Sequence, residues 1–120
     1  MATVYTDAGE DWTADVFDGT SSPPANYFVG WGTGAGTAAK GDTTLFTEAS
    51  EARVAATESQ PTSNTNRLVA TITADGSKTI TNAGSFDQST GGSLIVHGDF
   101  TGIVLTLNDK IEFTIDLTWS

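Results

Sequence analysis

The chain has no cysteine among its 120 residues, and it has one histidine, His97. The absence of cysteine excludes a disulfide, a thiolate zinc site and a cysteine nucleophile. With a single histidine, a metal site built on two imidazoles is also excluded, and any histidine-based catalytic triad has to use His97. These absences remove several common chemistries before any motif is considered.

Basic residues are scarce as well. Five lysines and arginines face fifteen acidic residues, which gives a formal net charge of −10 at pH 7. Because binding a polyphosphate requires a basic face that displaces counterions, and the five basic residues are scattered, nucleic acid is excluded as a partner. The acidic surface predicts good solubility, or a partner that carries a basic patch.

Long apolar runs are also missing. No run approaches the ~20 residues that span a bilayer, so no membrane partner is expected. Residues 1–12 (MATVYTDAGEDW) lack the basic start and apolar core of a signal peptide, so we expect synthesis in an aqueous compartment. The mass of 12.4 kDa predicts one domain, which should expose about 6,000 Å² when folded.

The residues that are abundant, chiefly Thr, Gly, Ala, Ser and Asp, favour strands and turns. Residues 110–119 alternate between polar and apolar side chains, which predicts a strand with one buried face. Helix formers in residues 48–58 compete with this pattern, but Val54 is the one large apolar residue there, so an extended segment is favoured. Other strands are predicted at residues 26–31, 53–57, 67–74, 78–86, 93–100 and 103–107. Together they predict an antiparallel sandwich or a small barrel.

Residues 1–24 differ from the rest of the chain. They contain five acidic residues, no basic residue and three aromatic side chains, and they end at a stiff Ser-Pro-Pro break. We predict an extended acidic N-terminal arm at residues 1–24, followed by a single β-sandwich domain at residues 25–120. Such an arm needs a surface, which could belong to its own domain, to a sister subunit or to another protein.

The glycine-rich segment at residues 30–42 (GWGTGAGTAAKGD) invites comparison with a phosphate-binding loop. A P-loop places lysine directly after its last glycine, whereas here Lys40 precedes Gly41 and Asp42 follows it. The dinucleotide pattern G-x-G-x-x-G is not met either. We therefore predict no cofactor and interpret the segment as a turn that another backbone approaches closely.

Two further patterns fall short of a metal site and an active site. Residues 7–18 resemble an EF-hand loop, but Trp12 replaces the obligatory glycine and Asp18 replaces the final glutamate. No metal site is predicted, although a loose surface calcium site stays open. His97 and Asp99 share a strand face, yet no serine is singled out as a nucleophile. No catalytic residue is predicted, and an enzyme with a cleft around His97 is the least favoured class.

Two stretches resemble a module of small virion proteins of tailed bacteriophages. In residues 27–53 an aromatic-glycine strand end, a G-T-G turn and an alanine-rich segment lead to D-T-x-L-x-T-E and an arginine. In residues 80–119 an alanine-glycine strand and an aromatic-Asp pair precede a T-G-G turn and a last alternating strand. The chain departs from this pattern at Asn82, at His97-Gly98 and at Asn108-Asp109. The second departure puts in doubt any interface role of the arginine that is common there.

The resemblance implies a small jelly-roll-like β-sandwich without enzymatic activity. We expect a capsid decoration (cement) protein that binds the outer surface of the major capsid protein shell and stabilises the mature head. The resemblance also suggests a dimer or trimer on the virion, assembled in the host cytoplasm. Because related modules occur among tail and fibre components, the alternative is a tail or tail-fibre protein involved in host recognition.

The candidate interface residues are aromatic anchors and acidic side chains, since aromatics dominate interface hot spots and charges steer association. Most of them belong to the N-terminal arm, and one lies beside the glycine-rich turn. They are Tyr5, Asp7, Glu10, Asp11, Trp12, Asp15, Phe17 and Trp31.

Overall fold

The computed structural model describes residues 2–120, so the first residue of the predicted N-terminal arm lies outside the described residues. The described chain consists mostly of β-strands, with one short helix. The elements are β1 (Thr3–Tyr5), α1 (Asp7–Asp18), β2 (Phe28–Gly32), β3 (Val54–Ala55), β4 (Thr57–Thr62), β5 (Thr65–Thr73), β6 (Lys78–Phe86), β7 (Leu94–Leu105) and β8 (Lys110–Thr118).

The strands form two antiparallel sheets that pack face to face. The order is β1-β7-β6-β2-β3 in the larger sheet and β4-β5-β8 in the smaller one. Side chains of both sheets meet in one core, where Trp31 and Ile80 of the larger sheet join Ile72 of the smaller sheet. The predicted antiparallel β-sandwich is therefore confirmed, and its accessible surface of 6412 Å² agrees with the expectation from mass.

The last strand, β8, shows the alternation that its sequence predicts. Ile111, Phe113, Ile115 and Leu117 are half-buried, whereas the intervening side chains are exposed. Phe113 packs edge-on against Trp31 of the opposite sheet, with ring centroids 6.2 Å apart. The buried face of β8 thus closes the core from the smaller sheet.

The segment before β8 differs from the prediction of two strands at residues 93–100 and 103–107. Residues 94–105 form the single strand β7, with register shifts in its pairing to β6. The Asn108-Asp109 turn connects β7 of the larger sheet to β8 of the smaller sheet. The backbone carbonyl of Asp109 accepts a hydrogen bond from the backbone of Ala74, which follows β5. Sequence alternation defines a strand but not its neighbour.

Residues 48–58, for which the sequence favours an extended segment, contain no helix. They include β3 and the start of β4, which continues through Thr62 before the chain turns into β5. All six side chains of β4 are exposed. An edge strand without buried side chains leaves no apolar alternation to detect.

The prediction of an extended N-terminal arm is wrong for most of its length. β1 pairs with β7, and residues 7–18 form the helix α1. Thr6 caps the helix by accepting a hydrogen bond from the backbone of Gly9, and Gly19 ends it with a φ of 87°. Because Asp, Thr and Gly are poor helix formers, the composition concealed this helix. Capping and packing on β7 stabilise it instead.

Candidate functional site

The exposed face of helix α1 carries most of the predicted interface residues. Helical spacing places Asp7, Asp11, Asp15 and Asp18 in one stripe, and all four are exposed. Phe17 lies on a different part of the exposed helix surface from Asp11 and Asp15, because residues two or six positions apart do not share a helix face. It is 94% exposed, the highest exposure among the large apolar side chains of the described chain. An exposed phenyl ring and a row of carboxylates on one short helix form a surface suited to a partner with basic and apolar patches.

Tyr5 and Trp12, the other predicted anchors, pack inside the chain. The ring of Tyr5 meets that of Trp119 edge-on at 5.5 Å, and its hydroxyl reaches the carbonyl of Gly9. Trp12 meets Tyr27 edge-on, also at 5.5 Å. Both aromatic residues therefore attach the helix to the sandwich, which is a structural role in the isolated chain.

Two of the predicted acidic residues are engaged by a lysine of the same chain. Lys40 forms ion pairs with Glu10 at 2.9 Å and with Asp7 at 3.9 Å. The hydrogen bond that Lys40 donates to Glu10 holds the pKa of Lys40 above its usual value. Among the described residues, no lysine or arginine pairs with Asp11, Asp15 or Asp18, so these are the acids of this helix that remain available to a partner.

An apolar groove of about 240 Å³ lies between α1 and the sandwich. Its lining includes Trp12, Val16 and Tyr27 on one side and Leu117 and Trp119 on the other. Burial raises the pKa of Tyr27 to about 12, with smaller contributions from nearby carboxylates, so its hydroxyl stays neutral. Sequence reasoning missed this groove because it forms only when the helix docks.

Trp31, which the sequence suggests as an interface residue, lies in the core instead. Its side chain is 1% exposed and belongs to the core cluster, and its indole nitrogen donates to Glu51 at 2.9 Å. β2 pairs with β6 and β3 on its two edges, and four of its five residues are buried. A residue in that position contributes to folding rather than to an outer contact.

The glycine-rich segment has the role that the sequence predicts. The backbone of Thr33 donates to Thr47, and that of Gly34 donates to Phe46. A Cβ on Gly32 would lie 2.4 Å from the carbonyl oxygen of Phe46. This close approach of two backbones explains the glycine without any phosphate.

The single histidine is sealed inside the protein. His97 is fully buried, and its Nδ1 and Nε2 lie 2.8 Å from Asp42 Oδ2 and 3.0 Å from Asn82 Oδ1. The Asn82 oxygen also accepts from the backbone of Phe46, which fixes the amide orientation. Both ring nitrogens therefore have hydrogen-bond partners within the chain. The contact with Asp42 fastens the loop between β2 and β3 to the sheet.

Asp99 does not assist His97, although the sequence places them two residues apart. Its carboxylate accepts hydrogen bonds from the backbones of Ala2 and Ala38. Within residues 2–120, no group of three or more His, Asp or Glu side chains is arranged to hold a metal ion. The described helix is too short and too polar to cross a membrane.

The chain is similar to a known protein family. A family model described as "Podophage GP4 fiber I protein gp80" matches residues 6–117, which include helix α1 and nearly all of both sheets. Among curated proteins, none matches the chain.

Proposed function

The chain belongs to the podophage GP4 fiber I protein gp80 family, and from this premise we propose that it is a structural component of a podophage fibre. The match over residues 6–117 is the observation that carries the proposal. It supports a phage virion protein, as the sequence predicts. It favours the tail-fibre alternative over capsid decoration, so the expected position on the outer capsid surface is replaced by one in a fibre.

The contact with a neighbouring virion protein would use the exposed face of helix α1. Phe17 supplies an apolar anchor, and Asp11 and Asp15 supply negative charge on another part of the exposed surface of the same helix. Aromatic anchors contribute much of the energy of protein contacts, and charge complementarity increases the rate of association. The partner should therefore present a pocket with a basic rim.

The proposed role is mechanical and includes no catalysis. His97 has no exposed surface, and both of its ring nitrogens are occupied by Asp42 and Asn82. A general base has to come within hydrogen-bond distance of its substrate. The buried ring instead fastens a loop, which suits a rigid structural domain.

Immunogold labelling of intact virions tests the fibre assignment. The label would be directed at this protein, with an antibody against the major capsid protein as the control. We expect gold at the fibres and none on the head. Label spread over the head surface would contradict the proposal and restore decoration.

An adsorption assay tests whether the fibre takes part in host recognition. Purified protein, added in excess before the phage, should reduce the rate of adsorption to host cells if it carries the host contact. The Phe17→Ala variant should compete equally well, because its side chain is assigned to the virion contact. An unchanged adsorption rate with the wild-type protein would limit its role to fibre structure.

A further inference from the structure

The smaller sheet ends in a long strand with an open edge. β8 pairs with β5 over nine consecutive positions, from Lys110↔Thr73 to Thr118↔Thr65, without a register shift. On its other side, no strand of the described chain pairs with it. A strand of this length with a free edge is a template for adding another strand.

The hydrogen bonds at both ends of β8 show which backbone groups face the open edge. The backbone of Trp119 donates to Asn64, and that of Ala74 donates to Asp109. Because antiparallel pairing alternates, the odd-numbered residues of β8 bond to β5. The even-numbered residues direct their N–H and C=O groups outward; they are Lys110, Glu112, Thr114, Asp116 and Thr118.

The other edges of the sandwich are protected against pairing. β1 has three residues and β3 has two. β4 contains Pro61, and its register with β5 shifts between Ser59 and Thr62. Short strands, proline and irregular register are common devices that block edge pairing. β8 is long and regular, so only its side chains restrict which strand can join it.

β8 carries a lysine without an ion-pair partner among residues 2–120, which is unusual in this acidic chain. Lys40, Arg53, Arg67 and Lys78 all form ion pairs within the chain. Within residues 2–120, Lys110 alone among the basic residues forms none. Its ammonium lies on the open strand, six positions before Asp116, whose carboxylate also accepts two hydrogen bonds from Arg67 of β5.

We propose that β8 pairs in antiparallel fashion with β8 of a second copy of this chain, around a two-fold axis at Phe113. In this register Lys110 of each copy lies opposite Asp116 of the other, and Glu112 lies opposite Thr114. The pairing makes about eight backbone hydrogen bonds and joins the two smaller sheets into one continuous sheet. It uses the same surface on both copies, as a closed dimer requires.

Charge selects this register over its neighbour. A two-fold axis at Thr114 would also pair the outward N–H and C=O groups of even-numbered residues with each other. However, it would place Glu112 opposite Asp116 twice. Like charges directly opposite each other destabilise a strand pair, whereas opposite charges stabilise it. The axis at Phe113 therefore avoids placing Glu112 opposite Asp116 and places Lys110 opposite Asp116 instead, where the carboxylate also pairs with Arg67.

The test is the dimer dissociation constant of the full chain, measured by sedimentation equilibrium for charge variants at Thr114. Thr114→Lys places a lysine opposite Glu112 of the partner, twice, and should tighten the dimer roughly 3- to 10-fold. Thr114→Glu should weaken it by a similar factor. Thr118→Glu lies beyond the paired residues and serves as the control, with no change expected.

Cysteine crosslinking provides an independent measurement, since the chain has no cysteine of its own. A mixture of Glu112→Cys and Thr114→Cys chains should form a crosslinked heterodimer on mild oxidation, whereas Thr114→Cys alone should not. Crosslinking of Thr114→Cys with itself would overturn the register. A chain that stays monomeric, or a dimer insensitive to the charge variants, would overturn the proposal. The fibre assignment does not depend on this result.

Discussion

Glu51 shows how one buried carboxylate can hold several elements together. Its side chain is 6% exposed and forms an ion pair with Lys78 at the start of β6. It also accepts hydrogen bonds from the indole of Trp31 and the backbone of Asp75. Burial alone would raise the pKa of Glu51, but these donors outweigh it and lower the pKa to about 2.

We therefore predict that the protein loses stability in acid through Glu51. A carboxyl whose pKa is depressed by folding stabilises the protein above its unfolded pKa, here 4.5, and that contribution is lost as the pH falls toward 2. The loss should amount to about 3 kcal/mol. Urea unfolding of the wild type between pH 7 and pH 2 measures it.

The Glu51→Gln variant should have a lower free energy of unfolding at pH 7 and a flatter acid profile. Glu112→Gln is the matched control, because Glu112 is exposed and makes no ion pair within the described residues. If Glu51→Gln keeps the wild-type acid profile, the loss comes from other carboxyls.

Phe17 and Trp12 lie five residues apart on the same helix but should respond differently to truncation. Phe17→Ala removes an exposed ring and should change stability by less than about 0.5 kcal/mol. Trp12→Ala removes a ring packed on Tyr27 and should destabilise the protein by a few kcal/mol, roughly. Thermal unfolding of both variants compares them, and equal losses would refute the assignment of Phe17 to an outer contact.

At the scale of elements, helix α1 is held by its first turn. The hydroxyl of Thr6 accepts from the backbone of Gly9 and also reaches the backbone carbonyl of Ile95 in β7. A Cβ on Gly9 would lie 2.6 Å from that same carbonyl oxygen. The helix can approach the sheet this closely only because residue 9 has no side chain.

We predict that Gly9→Ala weakens the docking of the helix, although alanine has the higher helix propensity. Propensity would contribute about 1 kcal/mol in favour of alanine, whereas a forced contact of this kind costs about 1–3 kcal/mol. Thermal unfolding and hydrogen exchange in α1 measure the balance. Gly41→Ala is the control, since a Cβ there meets nothing within 4 Å. A more stable Gly9→Ala protein would show that the helix can move away from β7.

At the scale of the whole molecule, charge repulsion opposes folding. The net charge is −10. The ion pairs of the described chain engage fewer than half of the fifteen acids with a lysine or arginine. The remaining carboxylates repel one another over distances that salt can screen.

We therefore expect the melting temperature to rise when NaCl increases from about 10 mM to about 200 mM, because the screening length falls well below the size of the domain. Differential scanning calorimetry at pH 7 measures the change. Sucrose at matched osmolality controls for general exclusion effects. A melting temperature that falls with salt would mean that the short ion pairs outweigh the long-range repulsion.

Several predictions that depend on neighbouring residues hold in the structure, whereas several that concern long-range packing do not. Alternation in residues 110–119 predicted β8 and its buried face correctly, because a period of two is a local property of a strand. The glycine at position 32 was correctly assigned to a close backbone approach. Phe17, one of the aromatic residues predicted as anchors, is exposed. The other three predicted aromatic anchors pack against residues of the same chain; they are Tyr5, Trp12 and Trp31.

The sequence by itself determined most of the strands, the acidic composition, the lack of cysteine chemistry and the β-sandwich class, since each depends on composition or on neighbours along the chain. Only the tertiary structure decided that residues 7–18 form a helix, that Trp31 is buried and that β8 keeps an open edge. Each of these depends on contacts between residues far apart in the chain, such as Gly9 with Ile95 and Trp31 with Glu51. Local propensity carries no information about such contacts.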